Sequence, residues 1–245
     1  MGAIGVWFLI SAGLLITPTP PLADILPGGV LRIGIDASNP PFAVATENTY
    51  TGFEIDLANL IVEALDIPMR FVGLGFDGLY DALAADQVDM VIAGLTIDSA
   101  RLGSVRYSRP YFNTGLVLIT SERPINIQDA AGKRIAFELG SMAQISVNEW
   151  LRRIHPFMPI GLESPEAALE AVRLGNADAA LADAVSTRLY LRTHAEWDAQ
   201  FTQVTDTLLA IATRVDRPLI GNQIDKVLER LFVEGVIAEL LQKWF

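Results

Sequence analysis

Cysteine is absent from the 245-residue chain, and histidine occurs only twice, at His155 and His194. Without cysteine there can be no disulfide, thiolate nucleophile, iron–sulfur cluster or cysteine-type zinc site. A lipoprotein anchor is excluded too, because the anchored residue is a cysteine. Two histidines leave little for a transition-metal site, so neither a metal nor a cofactor is expected. Charge is also scarce: 19% of residues are charged, with 18 Lys and Arg against 29 Asp and Glu, a formal net charge of −11. An isoelectric point near 4.6 argues against a nucleic-acid binder, which must set cations on phosphates. What the chain has in quantity is apolar side chain, 51% of the total.

That apolar content is unevenly placed. Residues 1–23 carry no charged side chain, and Ala3 to Ile16 forms an apolar run interrupted only by Ser11-Ala12-Gly13. The run has the length of a signal-peptide core and is too short to span a bilayer. Thr17-Pro18-Thr19-Pro20-Pro21 breaks any helix, and Ala23 before Asp24 is the expected cleavage point. Residues 1–23 therefore read as an export signal to the periplasm. An uncleaved anchor or a misplaced start codon is the alternative, since no Lys or Arg opens the segment.

Beyond residue 24, short apolar runs alternate with helical periodicity. Strands are expected at Leu31–Ile35, Met69–Leu74, Met90–Ala93, Leu116–Thr120, Arg134–Phe137, Ala179–Ala182 and Leu208–Ala212. Helices are expected at Phe53–Leu65, Gly78–Ala85, Ser141–Arg153, Pro165–Leu174 and over most of Gly221–Phe245. Ser141 is placed to cap its helix. The alternation implies an α/β protein with largely parallel sheets. Two segments share one plan: Leu83–Gly94 and Val172–Asp183 each run from a helix end through a polar turn and an Asp into an apolar strand. Aligning Asp89 on Asp178 puts Gly94 on Asp183, both at the carboxyl end of a strand, where open α/β sheets bind ligands. The echo suggests two similar lobes facing a cleft, although βα units in general share some of this pattern.

The motifs resemble those of the periplasmic solute-binding proteins of amino-acid ABC transporters, from about Val30 to Phe245. The resemblance rests on Leu31–Phe42, on Gly52-Phe53-Glu54-Ile55-Asp56-Leu57 and on Ala93-Gly94-Leu95-Thr96-Ile97 followed by Arg101. Tyr107-Ser108-Arg109-Pro110-Tyr111, Gly132–Ala136 with Gly140-Ser141, and the terminal Gly235–Phe245 complete it. Each motif is weak alone, but six in order are specific. The resemblance implies a two-lobed fold with two crossing strands: lobe I from 24–112 plus 207–245, lobe II from 113–206. The lobes would close on an amino acid by hinge motion. A membrane ABC permease would be the partner, with no nucleic acid involved and the protein a monomer.

A free amino acid needs a partner for its carboxylate, its ammonium and its side chain. Arg101 suits the first, since a guanidinium fork matches a carboxylate, and the resemblance assigns it that role; alone it would read as a solvated arginine. The Thr96 hydroxyl and N–H would complete the carboxylate shell, with Gly94 letting the backbone approach and offering its carbonyl to the ammonium. Asp183 matches the family's ammonium-binding Asp, and it could equally cap the following helix. Ser141 would add donors from lobe II. The resemblance places Phe76 against the ligand side chain, Asn39 where relatives often carry a second aromatic, and Asp36 and Glu138 in the side-chain pocket. Two carboxylates there would favour a basic ligand. A neutral polar one remains open if Glu138 faces solvent. Met142 departs from the small polar residue of relatives and would narrow the cleft. Glu47, Asp66, Glu163 and Glu166 read as solvated faces. A cyclohexadienyl-dehydratase-like enzyme, with Glu138 or Asp36 as general acid, is the competing reading. A sensor module is less favoured, because the length suits a free-standing binding protein.

Overall fold

A computed structural model describes residues 20–154 and 156–245. The expected leader lies outside the described residues up to residue 19, and its proposed boundary after Ala23 falls within one helical turn, α1 (Leu22–Ile25). The chain then runs through β1 (Leu31–Ile35), β2 (Ser38–Asn39), β3 (Ala43–Ala45), β4 (Tyr50–Thr51), α2 (Phe53–Leu65), β5 (Met69–Gly73), α3 (Leu79–Ala84), β6 (Met90–Val91) and β7 (Val105–Tyr107). β8 (Phe112–Asn113) crosses into the second lobe. That lobe holds β9 (Leu116–Thr120), β10 (Arg134–Glu138), α4 (Met142–Arg153), β11 (Met158–Leu162), α5 (Pro165–Arg173), β12 (Ala179–Asp183), α6 (Ala184–Thr193) and β13 (Gln200–Gln203). β14 (Leu208–Leu209) returns to the first lobe, which β15 (Ala212–Arg214), α7 (Pro218–Val233) and α8 (Val236–Trp244) complete.

The two main sheets have the same plan. The first is ordered β5-β1-β6-β15-β7 and the second β11-β10-β12-β9-β13. In each, four strands run in one direction and the fourth in the order, β15 or β9, runs against them. The sheets are therefore largely parallel, as the sequence suggests, with one antiparallel strand in each. The reason for that strand is connectivity: β9 and β15 are entered from a crossing strand, not through a helix. β8 and β14 pair antiparallel as the two crossings. Both faces of each sheet are covered, which explains the unbroken apolar strands. Met90 and Ile92 face the cluster containing Phe53, Leu57 and Ile224, while Val91 and Ala93 face the one containing Leu79 and Leu83.

The Asp89/Asp178 echo is a structural equivalence. Asp89 takes the backbone N–H and guanidinium of Arg32 at the start of β1. Asp178 does the same for Arg134 at the start of β10. The turn before each Asp uses a left-handed residue at the same offset, Asp86 (φ 57°) and Gly175 (φ 75°).

Two expected elements are divided. Leu208–Ala212 is not one strand: β14 pairs in the crossing, Ala210 N–H donates to the Leu95 carbonyl at 2.9 Å, and β15 then joins the main sheet. The C-terminal helix breaks at Gly235, whose φ of 80° fits glycine and ends α7. The Gly52–Leu57 motif explains itself structurally. A Cβ on Gly52 would stand 2.2 Å from the Phe42 carbonyl oxygen. Phe53 packs against Phe42, Tyr111, Phe112 and Phe245. Asp56 accepts from Lys243 Nζ and Trp244 Nε1, both at 2.7 Å, so it ties α8 to α2.

Candidate functional site

Lobe II brings three of the expected residues together. Glu138 ends β10, Ser141 caps α4, and Asp183 ends β12 and caps α6. All three line one cavity of about 210 Å³, together with Met142 and Leu116. Ser141 Oγ donates to the Glu138 carbonyl at 2.8 Å and accepts from Ala143 N–H at 3.1 Å. Asp183 Oδ1 accepts from Ser186 N–H at 2.8 Å, and its carboxylate makes no other hydrogen bond among the described residues. Asp183 thus caps the helix, and its Oδ2 has no hydrogen-bond partner among the described residues. Two helices start at this cavity, so backbone N–H groups gather around it.

The other expected residues stand on lobe I. Asp36 follows β1 and accepts from Ser38 N–H and Oγ at 3.1 and 2.7 Å. Asn39 lies on β2, and its Nδ2 is 3.4 Å from where a Gly94 Cβ would be. Gly94 has φ 64°, a left-handed turn just after β6. Thr96 bridges Leu209 of the returning crossing strand, so the loop rests directly on the hinge. Phe76 sits on a short 3-10 turn, 50% exposed.

Among the described residues no hydrogen bond or ion pair joins Arg101 to these groups. Its guanidinium lies 4.0 Å from the centroid of the Tyr80 ring, with Nε 3.2 Å from Asp98 Oδ2. There it lines a separate cavity of about 360 Å³ with Tyr80 and Arg214. Among the described residues no group of three His, Asp or Glu is placed to hold a metal. Glu47, Asp66, Glu163 and Glu166 are exposed, as their reading as solvated faces expects.

One residue at the site escapes sequence reasoning. Glu54, on the first turn of α2, is completely buried. Its Oε1 accepts from Gly94 N–H at 2.6 Å and from the Tyr111 hydroxyl, while Oε2 has no partner. It thereby joins the Gly94 loop to the segment entering the first crossing strand. Burial pushes its carboxyl up to about 7, against the two hydrogen bonds that favour the anion; nearby Asp36 adds to the rise. The signal was available: Glu54, Leu57, Ala58 and Ile61 form one i, i+3, i+4, i+7 stripe, so an acid heads a core-facing row.

Residues 31–245 match the family described as bacterial extracellular solute-binding proteins, family 3. Among curated relatives, ABC transporter arginine-binding protein 1 of Escherichia coli K12 is 26% identical over 223 residues, 88% of this chain and 90% of that one. The L-arginine-binding protein of Pseudomonas aeruginosa is 28% identical over 233 residues, covering 88% and 87%. Among solved structures, an ancestral cationic amino acid solute-binding protein aligns with a TM-score of 0.61 at 27% identity, covering 88% of this chain and 95% of that one. With its two-lobed α/β architecture and two crossing strands, this chain belongs to family 3 of the bacterial extracellular solute-binding proteins.

Proposed function

We propose that the chain is a periplasmic binding protein that captures a basic L-amino acid between its lobes and delivers it to an ABC permease, without chemistry. The observation that carries this reading is the lobe II cavity, in which Glu138 and Asp183 stand beside the Ser141 cap. Two carboxylates at one small cavity are stabilised together by a cation. An amino acid with a cationic side chain supplies two positive groups and one carboxylate. The relatives named for arginine fit that chemistry.

Capture would use Asp183 for the ammonium, and Glu138 and Asp36 for the side chain, with Phe76 and Asn39 flanking it. Arg101 and Thr96 would take the carboxylate, and the Gly94 carbonyl would receive the ammonium. Arg101 must first leave Asp98 and Tyr80. Its pair with Asp98 is exposed on both sides, and such pairs contribute no more than about 1 kcal/mol, so release is cheap relative to a buried bidentate contact. Residues 1–23 would act as the export signal, and the working protein would be a monomer that binds no nucleic acid. Its lobes would comprise 24–112 plus 207–245 and 113–206.

A thermal-shift screen against the common amino acids tests the reading. A ligand bound only by the folded state adds about 2.7 kcal/mol at a hundredfold excess over Kd. Arginine, lysine, ornithine or histidine should raise Tm clearly, and glutamine and glutamate little. A rise with glutamine alone would favour a neutral polar ligand. No rise with any amino acid, together with prephenate or arogenate turnover lost in Glu138→Gln, would replace binding by enzymatic activity.

A further inference from the structure

A second cavity, of about 310 Å³, lies at the hinge and is bounded by both lobes. The crossing strands contribute Phe112 and Leu208, α6 contributes Thr187 and Arg188, and Phe232 and Leu241 come from the two C-terminal helices. The cavity's lining includes none of the residues expected to touch the amino acid; Tyr111 links it, through Glu54, to the Gly94 loop. Its wall is apolar apart from a few polar groups, and Arg188 is its only charged side chain.

Arg188 is unusual in this chain. Among the described residues it is the only partly buried arginine with no carboxylate and no hydrogen-bond partner, although acids outnumber bases 29 to 18. Its guanidinium carbon lies 5.9 Å from the centroid of the Phe112 ring and 5.6 Å from that of Phe201, a cation held by two aromatic faces. Burial lowers its proton affinity without any compensating charge. The neighbouring Thr187 is 1% exposed, and its hydroxyl has no hydrogen-bond partner. An unpaired cation at the edge of an apolar cavity is a strong donor that lacks its acceptor.

We infer that this hinge cavity binds a small monocarboxylate with an apolar body, its carboxylate on the Arg188 guanidinium, its chain among Phe112, Phe201, Leu208 and Phe232. One cation calls for one anionic charge. The volume is at the small end of ligand pockets and suits a medium-length aliphatic chain. Because its walls come from both lobes and both crossings, an occupant would touch the two crossing strands and an element of each lobe.

Calorimetric titration of the full chain with octanoate tests the inference, with octan-1-ol as the uncharged control. Octanoate should bind saturably at one site. Arg188→Gln should weaken it at least tenfold, and Arg188→Lys should weaken it less. Octan-1-ol should not distinguish Arg188→Gln from wild type. Arg101→Ala should leave octanoate binding unchanged, because Arg101 lines a different cavity. Absence of saturable binding, equal affinity in Arg188→Gln, or loss of octanoate binding in Arg101→Ala would each overturn the inference. The last would put octanoate in the amino-acid cleft. Arg188→Gln should retain its Tm and its response to amino acids. Failure here and failure of the amino-acid reading are therefore separately visible.

Discussion

At the scale of single residues, Glu54 gives the pH response a descending component towards neutrality. Its carboxyl titrates near 7 in the folded protein, against an ordinary value near 4.5. Below pH 4.5 both folded and unfolded chains hold the proton, and the stabilisation of the neutral buried acid is complete. Between 4.5 and 7 the unfolded chain releases the proton while the folded chain keeps it, so stability falls as pH rises; above 7 the contribution is level. The drop across that window is on the order of 3 kcal/mol. Glu54→Gln keeps an acceptor for Gly94 N–H and the Tyr111 hydroxyl but cannot ionise. Urea unfolding from pH 4.5 to 8 should therefore show this descending component in wild type and not in Glu54→Gln. An identical slope in both would mean that Glu54 is not the titrating group. The residue shows where sequence reading stops: the helical stripe exposes its burial, but only the fold brings Gly94 and Tyr111, distant in sequence, onto one oxygen.

At the scale of elements, the two lobes use one device in different surroundings. The Arg32–Asp89 pair is nearly dry, with side chains 11% and 0% exposed, and Arg217 adds a further contact at 3.2 Å. The Arg134–Asp178 pair has the same geometry but is 37% and 36% exposed. Removing one partner of a buried pair leaves an uncompensated charge and costs about 3–5 kcal/mol, whereas solvent screens the exposed pair. Asp89→Asn should lower stability by several kcal/mol in urea unfolding, and Asp178→Asn by only a small fraction of that. Equal losses would refute burial as the deciding factor. Much of this was legible beforehand. The Asp89/Asp178 echo identifies the repeated βα plan, and Ser141 and Asp183 fall at the caps their residue types favour. The arginine partners were not legible, because nothing in a short strand distinguishes a buried Arg from a solvated one. Leu208–Ala212 was misread as continuous because five apolar residues look the same whether they pair in one sheet or pass between two.

At the scale of the whole molecule, the expected cleft divides its contacts between the lobes. Asp183, Glu138 and Ser141 stand on lobe II, while Arg101, Thr96 and Gly94 stand on lobe I. Thr96 is also bridged to the returning crossing strand and Gly94 is linked through Glu54 to Tyr111, so the lobe I loop is attached to the hinge at both ends. A ligand held from both sides favours the closed arrangement only by its differential affinity for it. Each half of the hold should thus be necessary for closure, even where the other half still retains ligand weakly. Small-angle X-ray scattering should show the radius of gyration of the wild type falling when arginine is added to saturation. Arg101→Ala should lose the fall because the carboxylate has no lobe I partner. Asp183→Asn should lose it because the ammonium has no lobe II charge. Normal compaction in Asp183→Asn would mean that the ligand does not bridge through that residue. Normal arginine affinity in Arg101→Ala would mean that the carboxylate is held elsewhere, with Arg101 remaining on Asp98 and Tyr80 as it stands in this structure.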